Sequence, residues 1–189
     1  MGQPTSDLIF LVGPRAAGKT SVGRRLAEKL AFEFVDTDDY LQRQQQLRVA
    51  EIVAQFGWAG FRELEGAALR AAGAGRGRVV ATGGGVVLAA PNRNFMRERG
   101  LVFYLSAPAE ILAARLAAAP ETGQRPSLTG RPVAEEVAQV LAEREDLYRQ
   151  TAHQVVDAAA PPDRVAADIL NRLAETTAAT RLSTLGREI

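Results

Sequence analysis

The chain has 189 residues, enough for one domain with a buried core. Apolar residues make up 47% and charged residues 24%, and the net charge is +1, so neither a basic nucleic-acid-binding field nor an acidic solvated arm is expected. The absence of cysteine excludes disulfides, thiolate catalysis, zinc fingers and iron–sulfur clusters, and the single histidine, His153, leaves little for a histidine metal site or a Ser-His-Asp triad.

Residues 8–12 are a continuous apolar run ending at Gly13, the pattern of a parallel strand buried on both faces. The run is too short for a signal core or a membrane span, so a cytoplasmic chain without membrane attachment is expected. A helix over 21–31 follows, with Val22, Leu26, Ala27 and Leu30 on one stripe. Phe34 and Val35 form a second strand before Asp36. Helices are expected over 40–55 and 61–72, broken at Gly57 and Gly60. A third strand covers 79–82 and runs into Gly83, Gly84 and Gly85; a fourth covers 101–105 and a fifth 154–157. Helices fill 92–99, 109–119, 133–152 and 162–174. Residues 119–132, with Arg125 and Arg131, read as a lid between two helices, and 176–189 as a flexible tail after a single domain over 1–175. Strands alternating with helices predict an α/β protein with a parallel sheet covered on both faces. Ligands of such sheets sit outside the carboxyl ends of the strands.

The first of those ends carries Gly13, Pro14, Arg15, Ala16, Ala17, Gly18, Lys19 and Thr20, a complete P-loop pattern. A polyphosphate needs several converging N–H donors, which a tight glycine-bearing loop at a helix start supplies. Lys19 would add an ammonium and Thr20 a hard oxygen suited to Mg2+. At the second strand end stand Asp36, Asp38 and Asp39. Helix capping is the alternative for Asp38 and, more so, for Asp39; the functional reading puts one carboxylate near a metal and one on an acceptor hydroxyl. The triplet of Gly83, Gly84 and Gly85 reads as a strand end where a ligand touches backbone. Arg62 and Glu65 are spaced as a helix-face ion pair, and Arg144 in its helix reads by pattern as a surface charge.

Taken in order, these motifs resemble the shikimate kinase family in its bacterial type II form, over about residues 7–173. The motifs are Gly13-Pro14-Arg15 in the P-loop, Phe34-Val35-Asp36-Thr37-Asp38, Trp58-Ala59-Gly60-Phe61-Arg62 and Ala81-Thr82-Gly83-Gly84-Gly85. Asn92-Arg93, Phe95-Met96, Arg125-Pro126-Ser127-Leu128-Thr129-Gly130, and Arg144 with Leu147-Tyr148-Arg149 complete the set. The resemblance implies a P-loop kinase fold of the nucleoside monophosphate kinase type, a five-stranded parallel sheet with helices on both faces and a mobile lid at about 117–132. It implies ATP-dependent phosphorylation of the 3-hydroxyl of shikimate, giving shikimate 3-phosphate and ADP, a step of chorismate and aromatic amino acid biosynthesis. By position, Gly13, Ala16, Ala17, Gly18, Lys19, Thr20 and Ser21 would cradle ATP, with Arg125 arriving from the lid and Arg115 against adenine, opposite a segment near residues 158–162. Thr20 and Asp36 would hold Mg2+. Asp38, Arg62, Gly83, Gly84, Gly85 and Arg144 would bind shikimate, and Lys19, Asp38 and Arg125 would be catalytic.

The chemistry is consistent with that reading. A planar carboxylate suits the arginine fork, which Arg62 and Arg144 would supply. Asp38 would orient the acceptor hydroxyl and take its proton late, as charge moves. The partners implied are shikimate and ATP, with no nucleic acid and no membrane, and a monomer is expected because no long apolar stripe asks for a partner. Two alternatives stay open at this level. A gluconate kinase would share the P-loop and a carboxylate-bearing polyol. A ligand sensor on the same fold would carry an added DNA-binding segment or a damaged site; a first strand starting near Leu8 leaves no room for the former.

Overall fold

The computed structural model of the chain describes residues 5–118 and 132–185. Five strands form one parallel sheet: β1 (Thr5–Val12), β2 (Glu33–Asp36), β3 (Arg78–Ala81), β4 (Gly100–Ser106) and β5 (Gln154–Asp157). Their order is β2-β3-β1-β4-β5. The helices are α1 (Lys19–Leu30), α2 (Thr37–Gln45), α3 (Val49–Ala72), α4 (Ala90–Arg99), α5 (Ala109–Ala118), α6 (Val133–Thr151) and α7 (Pro162–Leu185), with a 3₁₀ turn at Val86–Leu88.

From Leu8 to Val12 β1 is apolar at every position because both of its faces are covered there. Ile9 and Leu11 enter one core with Val22, Leu26, Leu112, Val165 and Ile169, from α1, α5 and α7. Leu8, Phe10 and Val12 enter the other, with Leu69, Val86, Met96 and Tyr148, from α3, the 3₁₀ turn, α4 and α6. Side chains alternate across a strand, so a two-faced strand needs apolar residues at both parities. Because β3 lies beside β1, the loops leaving these two strands emerge side by side. Chain reversal in the strand order at this point opens the crevice that such sheets use for ligands.

Several elements begin two or three residues before expectation, β1 at Thr5, α1 at Lys19 and α2 at Thr37, and the larger departures fall in three places. The helix expected over 40–55 is two helices: α2 stops at Gln45, Gln46 takes a left-handed φ of 56°, and α3 begins at Val49. The restart is sealed by the Arg48 N–H donating to Glu51 (2.6 Å) and the Val49 N–H donating to Gln42 (3.2 Å). No glycine or proline marks this break, so the pattern hides it. Conversely, the break expected at Gly57 and Gly60 is present at Gly57 alone, where the backbone is non-helical (φ 67°, ψ 176°), and α3 runs without interruption through Gly60. Finally, α7 runs on to Leu185, through most of the segment expected as a tail. The expected lid lies outside the described residues apart from its two ends, and Arg125 and Arg131 with it. Among the described residues no helix is long and apolar enough to cross a membrane.

Candidate active site

Gly13 leaves β1 with φ 146°, and a Cβ there would stand 2.7 Å from the Leu105 carbonyl oxygen of neighbouring β4. Only glycine fits both the conformation and the approach. Gly18, at φ 90°, then turns the loop into α1 as its N-cap, so the free N–H groups of the first helical turn face the crevice. The Lys19 ammonium arches back over the loop and donates to the carbonyls of Gly13 (2.8 Å) and Pro14 (2.7 Å).

Asp36 ends β2 and caps α2. Its Oδ1 accepts the N–H of Asp38 (3.0 Å) and of Asp39 (3.4 Å), while its Oδ2 accepts from the Thr20 hydroxyl (2.8 Å). The capping role considered for Asp38 or Asp39 therefore falls to Asp36, because the helix starts one residue after the strand ends. One carboxylate thus ties the P-loop helix to the acidic turn. Within that turn, desolvation first and then the Asp36 carboxylate push the Asp39 carboxyl up from its ordinary value, against the pull of Arg43 and Arg24.

Each glycine of the triplet after β3 meets a different element. The Gly83 N–H donates to Thr37 Oγ1 (3.1 Å), and Thr37, at the start of α2, is buried. The Gly84 carbonyl accepts the Tyr148 hydroxyl (2.5 Å) and, at a long 3.5 Å, Arg144 Nη1, both from α6. Gly84 also abuts the P-loop, where a Cβ would sit 3.5 Å from the Gly13 carbonyl oxygen. Gly85 packs directly against the Arg62 guanidinium, which occupies the space a Cβ would need. Arg62 in turn bonds Glu65 (2.6 Å), itself only 2% exposed, and lies over the rings of Trp58 and Phe61 at 5.6 and 5.2 Å. The ion pair expected from the spacing is present, and it is largely buried. Arg144, expected by pattern as a surface charge, is half-buried against the triplet, because α6 packs on the turn that follows Gly85.

Two cavities flank the P-loop. One of about 350 Å³ is walled by Lys19, Thr20, Asp36, Asp38, Thr82 and Gly84. The other, about 270 Å³, is walled by Ala16, Gly18, Arg115, Ala158, Pro162 and Val165. Arg115 closes the second by donating to the carbonyls of Ala16 (3.3 Å) and Ala159 (3.1 Å). The crevice therefore brings together every site residue read from the sequence that lies among the described ones. Sequence reasoning gave no role to Thr37 and Tyr148. Thr37 stood inside a quoted motif between two more conspicuous aspartates, and Tyr148 stood in another behind Arg144. Their signal is the contact with the triplet, which only the fold supplies. Among the described residues no group of three or more His, Asp or Glu is placed to hold a metal without other donors.

A family model described as shikimate kinase matches residues 15–174. A protein of Syntrophotalea carbinolica named shikimate kinase 2 is 57% identical over 168 residues, which cover 89% of this chain and 97% of that protein. The solved structure of shikimate kinase from Acinetobacter baumannii in complex with shikimate superposes with a TM-score of 0.84 at 35% identity, covering 91% of this chain and 95% of that one. A gluconokinase structure from Sinorhizobium meliloti superposes with a TM-score of 0.58 at 19% identity, covering 97% and 99%, a likeness of fold alone.

Proposed function

The chain belongs to the shikimate kinase family, and on that premise we propose how its crevice carries out ATP-dependent phosphorylation of the shikimate 3-hydroxyl. The observation that carries the reading is the glycine triplet. It gathers the acidic turn, Arg62 and Arg144 beside a P-loop, so a carboxylate-bearing polyol and a triphosphate can meet at one place.

In this reading ATP lies along the P-loop. Its phosphates take the N–H groups at the start of α1 and the Lys19 ammonium, and its adenine enters the cavity walled by Arg115 and Pro162. Arg62 and Arg144 bind the shikimate carboxylate, for which the planar fork is suited. Asp38, on the wall of the larger cavity, accepts a hydrogen bond from the 3-hydroxyl and aims its oxygen at the γ-phosphorus. The new bond is O3–P; the bond that breaks joins the γ-phosphorus to the β–γ bridging oxygen, which leaves with ADP. The hydroxyl proton passes to Asp38 late in the transfer, since a carboxylate is too weak a base to take it from a ground-state alcohol. Lys19, and Arg125 from the lid, spread the charge of the transferring group.

Thr20 Oγ1 and Asp36 Oδ2 stand 2.8 Å apart, and hard oxygens of this kind fit Mg2+, which binds one or two carboxylates and completes its shell with phosphate and water. Bound there, Mg2+ would neutralise charge on the β- and γ-phosphates. A cytoplasmic monomer that uses no nucleic acid or membrane completes the proposal.

The test is ADP release with Mg-ATP, measured in parallel with shikimate, gluconate and no acceptor. Turnover with shikimate alone is expected. Turnover with gluconate alone would keep the P-loop and overturn the acceptor assignment. ATP binding without turnover on either would favour a sensor.

A further inference from the structure

The Gly84 carbonyl has two claimants, and they are not equal. The Tyr148 hydroxyl approaches to 2.5 Å, and Arg144 Nη1, one helical turn earlier on the same face of α6, stops at 3.5 Å. The short bond is held from behind. Tyr148 is fully buried, its ring stacks on that of Tyr104 (centroids 5.1 Å apart, 23° between planes), and it packs in the core that includes Val86, Val87 and Met96. Its hydroxyl therefore points at one place.

We propose that Tyr148 is a positioning residue for acceptor binding: by occupying the Gly84 carbonyl it keeps the Arg144 guanidinium from being captured there. This rests on the reading that Arg144 binds the acceptor carboxylate. A guanidinium has five donors and no acceptor, and a backbone carbonyl at the mouth of the site is an attractive partner for it. A carbonyl already engaged by a short O–H bond is a poorer second acceptor, and the 3.5 Å separation is at the edge of hydrogen bonding. Without the hydroxyl, a small rotation of the Arg144 side chain brings Nη1 to a full bond with Gly84. The acceptor carboxylate would then have to break that bond before it could bind. Because the effect falls on a remote group of the acceptor and not on the reacting hydroxyl, it weakens binding without slowing the transfer itself.

Tyr148→Phe removes the hydroxyl and leaves the ring on Tyr104. The KM for shikimate is expected to rise about ten-fold, the cost of breaking one charged hydrogen bond before the acceptor binds, with kcat and the KM for ATP within about two-fold of the parent. The unchanged KM for ATP also reports, in the same assay, that the rest of the crevice is assembled. Arg144→Ala supplies the second axis. In that background Tyr148→Phe is expected to add nothing, because the residue through which it acts is gone. An unchanged shikimate KM in the single variant overturns the proposal, as does a rise that persists in the Arg144→Ala background, or an equal rise in the KM for ATP. If Arg144→Ala alone leaves shikimate binding intact, the acceptor role of Arg144 falls and this proposal with it. A normal Tyr148→Phe beside a defective Arg144→Ala overturns only the proposal.

Discussion

At the scale of single residues, the site depends on atoms that are absent as much as on those present. Gly85 has no side chain because Arg62 stands where its Cβ would be. An alanine there must push the guanidinium away, and the guanidinium is tied to buried Glu65 and rests on two aromatic rings. Gly85→Ala is therefore expected to raise the shikimate KM at least ten-fold and to destabilise the fold by about 1–3 kcal/mol, through loss of the charged hydrogen bond. Steady-state kinetics and a thermal melt check both; an unaltered KM would show that Arg62 serves only the fold. Lys19 offers the opposite balance. Its bonds to Gly13 and Pro14 are local, so Lys19→Met should leave the melting temperature within a few degrees of the parent. In the proposed reading its ammonium turns to the transferring phosphoryl group, and kcat should fall by about 10²-fold or more. Near-normal kcat in the Lys19→Met variant would remove the P-loop from the chemistry.

At the scale of elements, what the sequence showed and what it hid divide along a physical line. The Leu8–Val12 part of β1 and the P-loop were legible because a stretch buried on both faces must be apolar at every position and a phosphate cradle must have glycine where the chain turns. The joint between α2 and α3 was not legible, since Gln46 adopts a left-handed backbone without any residue that advertises it, and side-chain bonds from Gln42 and Glu51 do the sealing. The burial of Arg144 was hidden for another reason: it follows from where α6 docks, which is a tertiary fact. His153, by contrast, reads from the sequence as a strand-edge residue, and the fold adds only its partner. It precedes β5 and completes the join to β4, its N–H donating to the Val102 carbonyl (2.8 Å) and its Nδ1 accepting the Val102 N–H (3.0 Å). Burial, then the nearby Arg97 guanidinium, lowers its pKa from the ordinary value. The unfolded chain therefore binds a proton more readily than the folded one. Stability from this join is full above about pH 6.5 and is lost as pH falls from there through the lowered folded value. Melting temperatures of the parent and of His153→Asn, which keeps an acceptor near the Nδ1 position but does not titrate, should converge as pH drops from 8 to 5. A constant gap across that range would remove His153 from the pH dependence.

At the scale of the molecule, the crevice is made from distant parts of the chain. Thr20, Asp36, Arg62, Gly84 and Arg144 come from α1, β2, α3, the turn after β3 and α6. A ligand that spans them binds the folded chain and has no counterpart site in the unfolded one. Its stabilisation should follow mass action, about 2.7 kcal/mol at a hundred-fold excess over the dissociation constant. For a chain of this size, roughly 2–4 °C accompanies each kcal/mol, so saturating shikimate should raise the melting temperature by about 5–11 °C. Gluconate at the same concentration should leave it unchanged, because in the proposed reading the acceptor pocket is set by Arg62, Arg144 and the acidic turn and not by the P-loop that such kinases share. The shift also localises a defect. In Gly85→Ala the stabilisation by shikimate should fall by about half or more while that by Mg-ATP persists, since Gly85 contacts Arg62 and the cavity proposed for adenine is walled by other residues. An equal shift with gluconate would make the pocket a general carboxylate–polyol site. Loss of both shifts in Gly85→Ala would instead mean that the triplet joins the two halves of the crevice so tightly that neither ligand binds alone.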